Sequence, residues 1–387
     1  MLITDLRVHT CFAMWRNWVF VELATDSGLT GVGEATLEGR ELTVAGHLED
    51  LRRTLVGRDP RDLRAHVRDL TRDPFWVGGY VAQSGLAAVE MAMWDLIGQD
   101  LKVPVWRLLG GRVRDRVRVY ANGWYFGVST PASWGERAGE VVELGYDAMK
   151  FDPFGRAGPV IERDALDHAV AIVEAVRRAV GPRVDLMIEG HGRFDVYSAI
   201  RIAHALAPFD AFWFEEPIAP GNLAALAEVR RASPIQIATG ERLFSRLDYR
   251  ELLTAGAAAV IQPDVVHAGG IAETLAIASM AEAWMVPVAP HNPNGPVATA
   301  ASLVVDAVAP NFLIQEMLAP WDADWRDAVI EGSPRVVDGH LAIPDRPGLG
   351  VRLVPEEIAR HPYQPVDLGF FGAASVLDTV DLGGSNR

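Results

Sequence analysis

The chain has 387 residues, with 36 Lys plus Arg against 51 Asp plus Glu and a formal net charge of −15. Apolar residues make up 49% and charged residues 22%, a globular balance that excludes a disordered or fibrous protein, while the acidic surplus argues against nucleic acid as a partner. The single cysteine, Cys11, allows no intrachain disulfide, the opening MLITDLRVHTCF lacks a signal-peptide pattern, and no apolar run reaches the roughly 18–20 residues of a membrane helix. The expectation is a soluble cytoplasmic protein with no membrane partner.

Two alternating runs, 2–8 and 18–24, flank a loop, and a third, 30–35, follows the turn TDSG at 25–28. Together they predict a small antiparallel meander. Helical periodicity follows at 41–55, 60–71 and 81–99, so 1–116 reads as an α+β domain of its own.

From 117 the rhythm changes. Eight short apolar runs, at 116–121, 146–152, 184–190, 211–217, 235–241, 258–264, 286–291 and 311–316, alternate with helical patterns near 131–144, 161–179, 195–206, 221–232, 246–255, 270–284 and 296–308. Repeated strand-then-helix units require parallel strands with crossover helices. Eight in succession fit a closed barrel better than an open sheet, which places the barrel at 117–320. The remainder, 321–387, reads as loops and short runs packing back toward the first domain.

What ends these strands is unexpected. Glu189, Glu215 and Glu241 close three consecutive runs at spacings of 26 and 26 residues. Neighbouring parallel strands lie about 4.8 Å apart, so three adjacent ends bring three carboxylates together. An isolated acid is more often a solvated loop residue, but an evenly spaced trio would repel unless a cation joined it. An all-oxygen site with room for water and substrate suits Mg²⁺.

Asp264 and His291 end the sixth and seventh runs, so a carboxylate sits beside an imidazole and makes it a candidate base. His191 follows Glu189 by two residues, and strand alternation would aim both into one pocket. Lys150 and Asp152 obey the same rule around Phe151, and Glu316 ends the eighth run. Only two lysines exist, Lys102 and Lys150, which makes one in an apolar strand stand out. The aromatics Trp15, Trp18, Phe75 and Trp76 read as core, or as a cover over the barrel mouth.

The segments YANGWY (120–125), KFDPFG (150–155), IEGHGRF (188–194), FEEP (214–217), TGERLFSR (239–246), IQPDVVHAGGI (261–271), APHNPNGP (289–296) and LIQE (313–316) carry a resemblance to a known family. In fixed order over essentially the whole chain, they resemble the mandelate racemase subgroup of the enolase superfamily, and within it the galactonate and gluconate dehydratases. The resemblance implies a (β/α)₇β TIM-like barrel under an N-terminal capping domain, a Mg²⁺ ion on Glu189, Glu215 and Glu241, and often octameric assembly.

It further implies a hydro-lyase acting on a small sugar acid. His291, oriented by Asp264, would remove the C2 proton, and His191 would protonate the departing 3-hydroxyl. Lys150 would offset substrate charge. Glu316 and Asp152 would bind substrate, Glu316 at the carboxylate and Asp152 at a hydroxyl. Two departures stand out. The racemases carry Lys-x-Lys on the second strand where this chain has Asp152, and the first metal ligand is commonly Asp where this chain has Glu189. Two alternatives stay open: a racemase or epimerase using Lys150 and His291 on opposite faces, and a catalytically silent sugar-acid-binding paralogue. The motifs concern C1 to C3 and do not separate galactonate from gluconate, so selectivity is expected from the capping domain, at 14–18 and at Phe75–Trp76.

Overall fold

A computed structural model describes residues 1–366; the segment 367–387, the end of the predicted C-terminal tail, lies outside the described residues. The chain opens with an antiparallel meander of β1 (Ile3–Ala13), β2 (Arg16–Thr25) and β3 (Thr30–Glu34). Three helices follow: α1 (Glu41–Leu55), α2 (Leu63–Arg72) and α3 (Tyr80–Leu101). The long α3 is buried on almost every side over Ser84–Gly98, because the meander packs on one flank and the barrel on the other. A helix that is apolar all round needs such enclosure.

After a short α4 (Val105–Leu108), the barrel staves are β4 (Arg116–Ala121), β5 (Ala148–Phe151), β6 (Asp185–Glu189), β7 (Ala211–Glu215), β8 (Ile237–Thr239), β9 (Val260–Ile261) and β10 (Gln315–Met317). They run parallel in sequence order from β4 to β9, and β10 closes the ring on β4. The predicted seventh strand, 286–291, is present only as single bridges, Ile261 to Val288, Val288 to Phe312 and Asp264 to His291. Pro287 and Pro290 lie in that stretch, and proline cannot donate to a ladder. The eighth strand lies at 315–317, later than the apolar run at 311–316 suggested. The barrel interior is filled by one inward residue per stave: Tyr120, Ala148, Met187, Trp213, Ala238, Val260, Ala289 and Ile314. It is therefore a packed core, not a pore.

The outer helices are α5 (Pro131–Glu143), α6 (Arg163–Val180), α7 (Val196–Leu206), α8 (Leu223–Ala232), α9 (Arg246–Thr254), α10 (Ile271–Ala283) and α11 (Pro296–Val308). In α6, Leu166, Ala169, Ile172, Val173 and Val176 form the buried stripe that seats it on the barrel. Most of these helices carry their own starts. Thr130 and Ser133 form a capping box for α5, Asp195 accepts from Ser198 N, and Asn222 accepts from Ala225 N.

The helices α10 and α11 differ. Each begins after a glycine, Gly270 or Gly295, with no side-chain cap. The first domain supplies the missing acceptors. Glu90 of α3 accepts from Ile271 N at 2.8 Å and Ala272 N at 2.9 Å. Glu34, ending β3, accepts from Gly295 N at 2.6 Å and Ala298 N at 2.8 Å. Two buried carboxylates thus cap helices of the other domain, where the helix dipole favours negative charge. At Gly270, φ is +100° and a Cβ would strike the Glu90 carboxylate, so only glycine fits. The C-terminal segment also returns to the first domain: Phe12 N donates to His361 O at 2.9 Å, and Leu349 N to Asp95 Oδ1 at 2.8 Å. Among the described residues, no helix is long and apolar enough to cross a membrane.

Candidate active site

At the C-terminal end of the staves, β6 stops on Glu189 and β7 on Glu215, which are register partners. Glu241 lies just past β8, after Gly240 at φ +141° turns the chain. One carboxylate oxygen from each of the three lies within 4.8 Å of the others. Two of them are oriented by donors: His191 N donates to Glu189 Oε1 at 2.6 Å, and Trp213 Nε1 to Glu215 Oε2 at 2.9 Å.

Burial, and then the Glu189 carboxylate, raises the proton affinity of Glu215; burial likewise raises Glu241. Such a cluster is relieved by positive charge. Lys150, on β5, supplies one unit, with Nζ 2.5 Å from Glu215 Oε1, 2.9 Å from Glu316 Oε1 and 3.4 Å from Glu189 Oε2. Although burial works against its charge, Glu215 and Glu316 hold its ammonium well above the ordinary lysine range. The donor set of three hard carboxylates, two of them almost wholly buried and the third, Glu241, met by Arg242 Nε only at 3.9 Å, fits a divalent cation of the oxygen-binding kind.

The bridge between Asp264 and His291 brings the next pair together. Asp264 Oδ2 accepts from His291 Nδ1 at 2.8 Å and from Asn294 Nδ2 at 2.8 Å, and Oδ1 accepts from Val266 N at 2.7 Å. An ionised carboxylate only accepts, so Nδ1 donates to Asp264, and when the ring is neutral its lone pair is on Nε2. That Nε2 faces the acids, 3.5 Å from Glu241 Oε2 and 4.0 Å from Glu316 Oε2. Burial opposes the imidazolium, but Glu241, Glu316 and the Asp264 hydrogen bond outweigh it and raise His291 to about 10 in the cation-free protein.

His191 also reaches the cavity, by a different route from strand alternation. β6 has already ended, and His191 stands in the left-handed region at φ +51°. Its Nδ1 is 2.8 Å from Asp152 Oδ2. Burial works against the imidazolium, while Glu189 and Asp152 raise its proton affinity overall. Asp152, expected to meet a substrate hydroxyl, does not line the main cavity: its carboxylate accepts from His191, Arg193 and Phe154 N. Phe151 faces outward to Trp124 and Trp134, as alternation requires. Glu316 is wholly buried, with Oε1 accepting from Asn122 Nδ2 and Oε2 from Asn292 N, each at 2.7 Å.

Lys150, Glu189, His191, Glu241 and His291 open onto one cavity of about 1000 Å³ between the barrel mouth and the first domain. Trp15, Glu38, Arg40 and Gly78–Val81 form its far wall. Of the aromatics expected as a cover, Trp15 lines the cavity and Trp18 is core. Phe75 and Trp76 are 90% and 87% exposed and do not line it. Sequence reasoning gave no role to Asn122, His267 or Glu38. His267, three residues after Asp264, lines the cavity and meets Ser84 Oγ of α3 at 3.0 Å; that spacing within IQPDVVH was its only sequence signal. Burial pushes the Glu38 carboxyl up to about 7.

A capped barrel with three acids, a lysine and an Asp–His pair at its mouth is the arrangement of the enolase superfamily. The chain belongs to its mandelate racemase/muconate lactonizing enzyme family: residues 7–110 match the model of the "Mandelate racemase / muconate lactonizing enzyme, N-terminal domain", and residues 134–358 match "Enolase C-terminal domain-like". It is 36% identical over 358 residues to a D-gluconate dehydratase of Thermoproteus tenax, covering 92% of this chain and 72% of that protein. It is 37% identical over 366 residues to a D-galactonate dehydratase of Variovorax paradoxus (strain S110), covering 93% and 95%. Among solved structures, a mandelate racemase/muconate lactonizing enzyme from Jannaschia sp. CCS1 superposes with a TM-score of 0.88 at 34% identity, covering 94% of this chain and 98% of that one.

Proposed function

We propose that the protein is a Mg²⁺-dependent hydro-lyase that dehydrates an aldonic acid, such as galactonate or gluconate, to a 2-keto-3-deoxy acid. The observation that carries this reading is the Asp264–His291 pair, with Nδ1 on Asp264 and Nε2 3.5 Å from Glu241 Oε2, one of the three clustered acids. Relatives named as dehydratases of these two acids support it over most of the chain.

Glu189, Glu215 and Glu241 would hold the ion. Its chemistry, when bound, is electrostatic stabilisation of the charge that builds on the substrate carboxylate as the neighbouring proton leaves. Lys150 neutralises part of the same charge, and Glu316 positions the carboxylate end. His291 takes the proton from C2. The C3–O bond breaks, and His191 as imidazolium delivers a proton to the departing oxygen, which leaves as water. The enol then becomes the 2-keto-3-deoxy acid. Asp152 acts through His191, holding its ring and its charge. Each proton transfer contributes about 10²–10⁴-fold.

In the cation-free protein Lys150 is paired with Glu189, Glu215 and Glu316, which favours its ammonium form over a second base. The test is a panel of aldonic and aldaric acids assayed for 2-keto acid, with wild type and His291→Asn compared in D₂O. The expected result is turnover of at least one aldonate by wild type, with neither turnover nor C2 deuteration by the variant. A variant that exchanges and turns over normally overturns the assignment of the base. Epimer without 2-keto acid would make the protein an isomerase.

A further inference from the structure

The loop that leads from His291 to α11 is pinned along its length. Asn292 N donates to Glu316 Oε2 at 2.7 Å, Asn292 Nδ2 to Thr299 Oγ1 at 2.9 Å, and Gly295 N to Glu34. Between them Asn294, which is buried, is held through both its side chain and its backbone. Its Nδ2 donates to Asp264 Oδ2 at 2.8 Å, the oxygen that also meets His291 Nδ1, and its carbonyl accepts from Arg326 Nη1 at 2.9 Å.

Arg326, from the segment that follows the barrel, grips this region with both arms of its fork. Nη2 donates to Thr299 Oγ1 at 2.8 Å, and Nη1 donates also to Asp322 Oδ2 at 2.7 Å. Asp322 in turn accepts from Arg16 Nη1 at 3.2 Å and from Arg16 Nη2 at 3.0 Å. Arg16 opens β2 in the first domain and is wholly shut off from solvent, its guanidinium 4.4 Å from the Trp15 ring and 5.4 Å from the Trp18 ring. Trp15 lines the cavity. One buried chain of donors and acceptors therefore runs from the first domain to the carboxylate behind His291, through Arg16, Asp322, Arg326, Asn294 and Asp264.

Burial works against the Asp322 carboxylate, and Arg16 and Arg326 hold it below the usual range all the same. Desolvation offsets most of what such a buried network gains, so stability alone does not account for two arginines on one acid. Geometry does. A planar guanidinium fixes what it grips more firmly than a point charge would, and misplacing a catalytic group by about 1 Å costs about 100-fold. The carbonyl that Arg326 holds and the amide that meets Asp264 belong to the same residue, so fixing the first places the second.

Resting on the reading of His291 as the base that takes the C2 proton, we infer that Arg326 is a positioning residue for that base, acting through Asn294 and Asp264, and that Arg16 holds Arg326 in place, so that docking of the first domain sets the aim of His291.

The experiment compares wild type with Arg326→Met, Arg326→Lys, Asn294→Ala, Arg16→Met and the double variant Arg326→Met/Asn294→Ala, all loaded with Mg²⁺. It measures kcat and KM on the aldonate that wild type turns over best, C2 exchange in D₂O, and Mn²⁺ affinity by electron paramagnetic resonance, with circular dichroism for folding. For Arg326→Met the expected result is a fall of about 10–100-fold in kcat and in C2 exchange together, with KM and Mn²⁺ affinity within about threefold of wild type. Arg326→Lys keeps a charge for Asp322 but not the fork, and should lose nearly as much. Asn294→Ala and Arg16→Met should show the same split between kcat and KM. The double variant should be little worse than the poorer of its two singles, because both changes break one link, whereas independent structural effects would add. Unchanged C2 exchange in folded Arg326→Met, losses that add in the double variant, or a change in KM or Mn²⁺ affinity as large as that in kcat overturns the inference and leaves the dehydratase reading standing. Unchanged exchange in Arg16→Met overturns the part given to the first domain. Should the arginine variants fail to fold, Asn294→Ala, which leaves the ion pairs intact, decides alone, and exchange at the wild-type rate overturns the inference. A wild-type protein that neither dehydrates a sugar acid nor exchanges its C2 proton overturns that reading and this inference with it.

Discussion

Asp264→Asn tests the base without touching it. Asp264 serves donors on both oxygens, His291 and Asn294 on one and Val266 N on the other. An asparagine has one carbonyl oxygen, so one of these sides must meet an amide N–H with an N–H of its own. If the oxygen keeps His291, the ring retains its tautomer and loses a charge-assisted bond worth about 1.5–3 kcal/mol, or about 10–150-fold at about 1.4 kcal/mol per decade. If the oxygen keeps Val266, Nε2 takes the proton and the base is lost, a penalty of up to about 10⁴-fold. The loss of C2 exchange should therefore lie between about 10-fold and 10⁴-fold. The assay is proton nuclear magnetic resonance of an aldonate in D₂O, with circular dichroism to confirm folding. A folded variant exchanging within threefold of wild type would refute the role given to Asp264.

Replacing His191 with Asn should slow elimination far more than C2 exchange, by about 10²–10⁴-fold; equal loss of both would mean that the residue only supports the fold. Removing the cation should abolish turnover and also move the base. In the cation-free protein Glu241 and Glu316 raise the proton affinity of His291 to about 10, which favours the imidazolium at pH 8 and takes away the base. A cation on Glu241 cancels the largest attraction raising it, so its midpoint in a histidine-labelled resonance titration should fall when Mg²⁺ replaces EDTA; an unmoved midpoint contradicts the shared site. Glu34→Ala leaves Gly295 N, Ala298 N and Thr36 Oγ1 without their acceptor, at a cost of about 2–4 kcal/mol. Denaturant unfolding should register the loss, and activity should fall with it, because α11 follows directly from the loop carrying His291.

Most of the barrel was legible because strand and helix periods alternate with little interruption and crossover connections leave few topologies. The metal-ligand candidates were legible because register alone sets Glu189 against Glu215. His191 was found by an argument that does not apply to it, since its φ of +51° ends strand alternation before its side chain. The seventh stave reads as a strand from its apolar residues, but prolines reduce it to bridges. What the sequence concealed depends on contacts between distant segments. Nothing local says that Glu34 and Glu90 cap helices some 180 to 260 residues away, that Arg193 engages Asp152, or that Glu38 faces the cavity while Phe75 and Trp76 face solvent. Those pairings are fixed by how the first domain docks on the barrel.

The most direct test is anomalous diffraction from crystals soaked in Mn²⁺ with an aldonate. The account predicts one peak bonded to a carboxylate oxygen from each of Glu189, Glu215 and Glu241, with the sugar acid's carboxylate against it and its C2 facing His291 Nε2. An ion bound elsewhere, or a substrate whose C2 turns away from that nitrogen, would contradict it.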